Sequence, residues 1–307
     1  MAQAIFDKPL QRLPGVLAEE VRRVLDAVGD ELAATVGDAR RADFADTLVH
    51  VLATSAFVSR TIQKNPTLLR DLVNTQDLAR RIANDEGLSR MGAELAKVED
   101  ETQLGQALRK IRTREMVRIA WRDLAKTTNL TETVTDLTRL AEACIEGALE
   151  KLHVLYGARY GEPVGEPSGV PQKLVVLAMG KLGGEELNFS SDVDLIFAYP
   201  EDGTTRSGQL SNHEYFIRLG QALIQALSAT TADGFAFRVD MRLRPNGTSG
   251  PLALSFDAME HYYQTHGREW ERYAMIKARA ITGNEPARAE LQSRLKPFVY
   301  RKYLDFN

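Results

Sequence analysis

A single cysteine, Cys144, in 307 residues excludes an internal disulfide. That absence points to a reducing compartment, expected here to be the cytoplasm, and away from a small secreted scaffold. Cys144 falls on the same helical stripe as Leu137, Leu140 and Ala141, so it reads as a buried inert thiol and not as a nucleophile. Histidine is scarce as well. Of five, His213, His261 and His266 show neither an H-E-x-x-H pair nor zinc-ligand spacing, which leaves capping or surface roles. Basic excess is missing too: 39 Lys and Arg stand against 42 Asp and Glu, a net charge of −3, so nothing electrostatic argues for nucleic acid as a partner. Long apolar runs are also absent. The plainly apolar stretch at 174–179 is far below the roughly 20 residues a membrane helix needs, and no membrane partner is expected. The first fifteen residues hold Lys8 and Arg12 without an apolar centre, which is not the pattern of a signal peptide.

What the chain does have is 44% hydrophobic residues and enough length for two domains. From about 15 to 156 apolar positions recur at three- and four-residue spacing, as in Leu17, Val21, Val24, Leu25, Val28 and Leu32, which predicts helix after helix. Asn65-Pro66 reads as a cap followed by proline at the first helical position, and Val134, Leu137, Leu140, Ala141, Cys144, Ile145, Leu149, Leu152 and Leu155 trace one long stripe. The basic run Arg109, Lys110, Arg112, Arg114 and Arg118 reads as a solvated helix face. Between 157 and 171 stand Gly157, Gly161, Gly165, Gly169, Pro163, Pro167 and Pro171, a density that marks a linker. Past it the pattern is mixed. Residues 174–179 predict a buried strand, Ser211 and Glu214 a capping box, and Asn284-Glu285-Pro286 another helix start, with a return to helix from Ser255. The chain stops at 304–307 without a closing motif, so it is expected to be part of a longer protein.

The chemistry concentrates between Met179 and Phe197. A glycine turn, Gly180-Lys181-Leu182-Gly183-Gly184, is followed by Ser190-Ser191-Asp192-Val193-Asp194. In a strand from Asp192, alternation puts Asp192 and Asp194 on one face and Val193 and Leu195 on the other. Two carboxylates so close stay ionised cheaply only beside something positive. An oxygen-only donor set suits Mg²⁺ or Mn²⁺. Some forty residues on, 235–245 alternates strictly: Phe237, Val239, Met241 and Leu243 on one face, and Arg238, Asp240, Arg242 and Arg244 on the other. Asp240 would make a third carboxylate, and the arginines would neutralise the cluster or grip phosphate oxygens through bidentate hydrogen bonds. Gly183 and Gly184 are expected to let backbone N–H groups approach a phosphate, with Lys181, Ser190 and Ser191 adding a charge and hydroxyls. Lys277 and Arg279 are further candidates for phosphate or nucleotide contact. A Walker A loop is excluded, because Leu182 stands where Ser or Thr must follow the lysine; Rossmann and G-x-S-x-G patterns are absent.

These strings, from Gly180-Lys181-Leu182-Gly183-Gly184 through Asp194-Leu195-Ile196-Phe197, then Val239-Asp240-Met241-Arg242-Leu243-Arg244-Pro245 and the segment 268–279, resemble the glutamine synthetase adenylyltransferase family, within the DNA polymerase β-like nucleotidyltransferase superfamily. The helical segment 108–123 extends the likeness, and Ala178, where the family often has glycine, departs from it mildly. The resemblance implies an α+β, mostly helical chain. It would comprise an N-terminal helical domain at 1–156, a linker at 157–171, a nucleotidyltransferase core with a small mixed sheet at 172–256 and a helical extension at 257–307. Family members carry two related catalytic halves, one attaching AMP to a tyrosine of glutamine synthetase and one removing it. The motif's place after a helical region and the Asn188-Phe189 variant resemble the N-terminal, adenylyl-removing half.

The implied reaction is attack of inorganic phosphate on the AMP group, releasing ADP, at two Mg²⁺ or Mn²⁺ ions. Asp192 and Asp194 would bridge both, and Asp240 would hold the catalytic one. Implied partners are adenylylated glutamine synthetase, a PII-type signalling protein and the C-terminal adenylyltransferase half of the same polypeptide. Two alternatives stay open: an adenylyltransferase or another protein-modifying nucleotidyltransferase using ATP, and a non-enzymatic scaffold, against which the three intact aspartates argue.

Overall fold

The structure, a computed structural model, describes residues 4–35 and 41–300. Leu32 lies outside the described side chains, and the chain end at 304–307 outside the described residues. Contacts divide the chain into two compact units, one of residues 1–87 and 111–136, the other of 88–110 and 137–307. Among the described residues they combine thirteen α-helices with seven short strands, an α+β fold that is mostly helical.

The first unit is all helix. It contains α1 (Ala4–Leu10), α2 (Gly15–Thr35), α3 (Arg41–Thr54), α4 (Ala56–Lys64) and α5 (Pro66–Asn74). The start of α6 (Asn84–Ala96), the later part of α7 (Glu101–Leu124) and the first turns of α8 (Leu130–Tyr160) complete it. The apolar spacing of α2 works as anticipated, with Val21, Val24, Leu25 and Val28 all buried. Ser55 caps α4 through its side chain, while Pro66 opens α5 at the first turn, where a missing N–H costs nothing.

The basic run on α7 is not the solvated face that its composition suggests. Arg118 is buried and donates to Glu115 at 2.6 Å and Asp136 at 3.0 Å; Arg114 donates to Asp71 at 2.8 Å and Asp77 at 2.7 Å. Arg122, also buried, bonds Glu132 at 2.8 Å. Each of these guanidiniums has a carboxylate within reach, which is what allows it to leave water. Arg109, in the second unit, is buried as well.

The second unit carries the sheet. β2 (Val175–Ala178) is buried throughout and pairs antiparallel with β3 (Val193–Tyr199) and with β7 (Arg279–Ala280). The far edge of β3 is shared: β5 (Val239–Asp240) pairs parallel with its start, and β6 (Ala253–Ser255) pairs parallel with its end. A separate ribbon joins β1 (Pro163–Gly165) to β4 (Gly203–Thr205), so the Gly/Pro-rich segment 157–171 lies within this unit. α8 precedes the ribbon with its stripe buried from Leu137 to Leu152, Cys144 included. The capping box at Ser211 and Glu214 opens α10 (Asn212–Ser228), whose Phe216, Leu219, Leu223 and Leu227 are buried, as spacing predicts. α11 (Phe256–Thr265), α12 (Glu269–Met275) and α13 (Glu285–Val299, capped by Asn284) close the unit. Val175, Leu177, Ile196, Phe256, Tyr263, Leu291 and Phe298 share one core.

The segment 235–245 departs from the expected long strand. Only Val239 and Asp240 pair; the chain then turns at 242–243 and passes a 3₁₀ turn at Gly247–Ser249 before reaching β6. Pro245 lacks a ladder donor, and Asn246 takes φ of 60°, left-handed geometry that ends a strand. Alternation shows in burial only in part: Phe237 and Met241 are inside and Arg238 and Arg242 outside, but Ala236 is buried as well and Val239 and Asp240 are both half-buried.

Candidate active site

Strand register builds the site. In the parallel pair β3–β5, Val193 lies opposite Val239 and Asp194 opposite Asp240, so two carboxylates that are 46 positions apart in the chain become neighbours on one sheet face. Both valines point the other way. Asp192 stands immediately before β3, two residues from Asp194 and on its side. These three line a cleft of about 470 Å³ together with Gly180, Lys181, Asn188, Ser190, Ser191 and Arg242.

The three carboxylates have unlike surroundings. Asp194, on the central strand, has its pKa raised, first by burial and then by repulsion from Asp240 and Asp192. Asp240 is held below the usual carboxylate range, chiefly by the hydrogen bonds of the Arg242 guanidinium. That guanidinium reaches both Asp240 oxygens, with Nε 2.8 Å from Oδ2 and 3.1 Å from Oδ1, and Nη2 also donates to Oδ2. The Arg242 main-chain N–H donates to Oδ1 at 2.8 Å. Asp192 accepts from Arg238, whose Nη2 also donates to the Ser190 carbonyl at 2.9 Å and whose guanidinium sits over the Phe235 ring at 5.5 Å. Arginine therefore pairs with the two outer aspartates, while among the described residues Asp194 makes no ion pair and feels Arg242 only at longer range.

Glycine shapes the opposite wall, though not the pair of glycines singled out from the sequence. Gly180 has φ of 54°, and a Cβ there would lie 2.8 Å from Asp194 Oδ2. Bare backbone at 180 keeps the central carboxylate uncovered. Gly183 is buried inside the short helix α9 (Gly180–Gly183), where a Cβ would run into the carbonyls of Lys277 and Ala178. The N–H groups of Gly183 and Gly184 donate to Met179 O at 3.0 Å and Gly180 O at 3.1 Å. Neither amide faces the cleft, so these two glycines pack the turn and Gly180 opens it.

Other candidates sort by position. Lys181, Ser190 and Ser191 lie on the cleft, and Ser191 Oγ donates to Asn188 Oδ1 at 2.6 Å. Arg244 does not join them: its guanidinium binds main-chain carbonyls of its own loop, Met241 O at 2.8 Å, Thr248 O at 3.3 Å and Gly250 O at 3.4 Å. Lys277 pairs with Glu186. Arg279 pairs with Glu142 and donates to Leu182 O at 3.1 Å and Gly183 O at 3.3 Å, bracing α9 from behind. Leu187 N–H donates to Thr138 Oγ1 at 3.2 Å and ties the same loop to α8. Sequence reasoning passed over Gly180 and Asn188 as site residues; the signal was present for Gly180, a glycine directly after a buried strand at the mouth of the turn.

Among the described residues no group of three His, Cys, Asp or Glu side chains is gathered closely enough to hold a metal ion. Arg238 and Arg242 pair with Asp192 and Asp240 there. The donor set nonetheless fits a hard cation: three carboxylates, two hydroxyls and a side-chain amide oxygen, all oxygen, and an Asp194 whose ionised form is penalised by its neighbours.

Comparison with known proteins shows the family of the chain. Residues 45–294 match the family described as Glutamate-ammonia ligase adenylyltransferase. The chain is 48% identical over 306 residues to a bifunctional glutamine synthetase adenylyltransferase/adenylyl-removing enzyme of Nitrosococcus oceani, covering 99% of this chain and 31% of that protein. A protein of the same description from Thioalkalivibrio sulfidiphilus is 49% identical over 299 residues, covering 97% and 30%. Another from Pseudomonas aeruginosa is 50% identical over 259 residues, covering 84% and 26%. The chain thus spans less than a third of the length of these relatives. It belongs to the glutamate-ammonia ligase adenylyltransferase family.

Proposed function

We propose that this chain removes AMP from adenylylated glutamine synthetase by phosphorolysis, converting an AMP-bearing tyrosine and inorganic phosphate to tyrosine and ADP. The observation that carries the reading is the register match of Asp194 with Asp240, beside Asp192 and open to the cleft across Gly180. Asp192, Asp194 and Asp240 would hold Mg²⁺ or Mn²⁺. Bound there, the cation would supply charge stabilisation at the phosphoryl oxygens.

The chain's own residues have separate tasks. Lys181 and Arg242 bring positive charge to the cleft for two phosphate-bearing reactants, and Ser190 and Ser191 offer hydroxyl donors. A phosphate oxygen forms the new bond to the α-phosphorus as the bond to the tyrosine oxygen breaks, and the phenolate then takes a proton. Phosphate is already anionic near pH 7, and a phenol of pKa about 10 leaves without strong acid assistance. None of the three aspartates has to act as a base in this direction; holding the cation is sufficient.

Choice of direction rests on the place of the motif after a helical region and on Asn188-Phe189, both within the resemblance described above. The test is incubation of the chain with adenylylated glutamine synthetase, Mg²⁺ and phosphate. ADP release that requires phosphate supports removal, whereas transfer of AMP from ATP to unmodified synthetase with no ADP release assigns the chain to the opposite reaction.

A further inference from the structure

The two arginines at the aspartate cluster are held very differently. Arg238 has three anchors: the Asp192 carboxylate, the Ser190 carbonyl and the face of Phe235. Among the described residues the Arg242 side chain has one, Asp240, and is 78% exposed while Asp240 is only 14% exposed. The electrostatic influence of Asp194 and Asp192 also reaches Arg242. Its guanidinium thus occupies both oxygens of one cluster carboxylate while standing mostly in solvent.

We propose that Arg242 is an exchangeable counter-ion: it covers Asp240 until a divalent cation takes that carboxylate, and the displaced guanidinium then turns to phosphate oxygens entering the cleft. This rests on the reading that the three aspartates hold a metal. Asp240 does not lose its orientation in the exchange, because the main-chain N–H of Arg242 still donates to Oδ1 at 2.8 Å. Arg238, fixed at three points, stays and keeps Asp192 aimed. The exchange couples two affinities with opposite sign. Before the metal arrives Arg242 competes with it; afterwards the same side chain, with its planar fork of donors, favours the nucleotide.

The test is a calorimetric titration with Mn²⁺ alone, followed by ADP at saturating Mn²⁺, on wild type, Arg242→Ala, Arg242→Lys and Arg238→Ala, each checked for folding by its thermal melt. Arg242→Ala is expected to bind Mn²⁺ about three- to tenfold more tightly and ADP about tenfold more weakly. Arg242→Lys, which keeps the charge and loses the fork, falls between on both scales. Arg238→Ala weakens Mn²⁺ binding, since Asp192 loses its support. If wild type binds Mn²⁺ and the Arg242 variants bind it equally or more weakly, the exchange is overturned while the metal reading stands. If wild type and all variants fail to bind Mn²⁺, the metal reading itself falls and the exchange with it. A role for Arg242 in phosphate contact alone would weaken ADP binding and leave the Mn²⁺ titration unmoved.

Discussion

Two regions of this chain bring arginines to carboxylates, and they do so to opposite ends. In the helical unit Asp77 is fully buried and receives Arg114 at 2.7 Å and Arg80 at 2.9 Å, while Arg118 and Arg122 meet Asp136 and Glu132. Charge there is matched and enclosed. In the cleft three aspartates share two arginines, the central carboxylate goes unmatched, and the guanidinium on Asp240 stands mostly in solvent. Matched and buried charge fixes how helices pack; a surplus of one sign, left accessible, makes a place for a ligand of the other sign.

The comparison is sharpest under substitution. Asp194→Asn is expected to reduce phosphate-dependent ADP release a thousandfold or more, about 4 kcal/mol of barrier. Its melting temperature is expected to hold or rise, because Asp194 is penalised by burial and by two like charges. Asp77→Ala should behave in the reverse way. It removes the buried acceptor shared by Arg114 and Arg80, which keep Asp71 and Glu86, with an expected loss of about 2 kcal/mol in urea unfolding, while ADP release below the melting range stays near that of wild type.

His153 tests a third arrangement, a titratable group whose charged form is disfavoured by burial and by a nearby lysine. Its Nε2 accepts the Leu174 N–H at 3.3 Å, and burial, then Lys173, push its pKa down to about 4 from 6.5. A depressed folded pKa means the unfolded chain takes the proton first, so the stabilisation is complete above about pH 6.5 and fades as pH falls toward 4. Between pH 7 and pH 5 wild type should lose about 2 kcal/mol more than His153→Gln, whose amide oxygen can still accept the Leu174 N–H; paired urea melts measure the difference. Gly180→Ala is the smallest of the series. Left-handed φ and the approach to Asp194 cost about 1–2 kcal/mol of stability, and ADP release is expected to fall about tenfold as the methyl group crowds the central carboxylate.

The helices, the buried β2 strand, the Ser211 capping box and the D-x-D strand were legible in the sequence because each is set by local spacing or capping chemistry. That the three aspartates share one cleft was legible for the same reason: alternation fixed the side of Asp192 and Asp194, and the R-D-R-R face stood out against an apolar one. What spacing does not encode is which partner a long side chain finds. Arg244 turned back on the carbonyls of its own loop, while Arg279 went to Glu142 on α8 and the α7 arginines found Asp71, Asp77 and Asp136, partners supplied by tertiary packing. Strand length failed for a similar reason. The alternation in 235–245 persists only in part as a burial pattern, and β5 pairs with β3 at 193–194 alone, before β6 pairs with it at 197–199.

The most direct test supplies ³²P-labelled inorganic phosphate with adenylylated glutamine synthetase and Mg²⁺, beside an Asp194→Asn control. Phosphorolysis at the aspartate cluster predicts label in the β-position of ADP for wild type and none for the control. Label-free AMP released by water, or labelled ADP formed equally well by Asp194→Asn, would contradict the account.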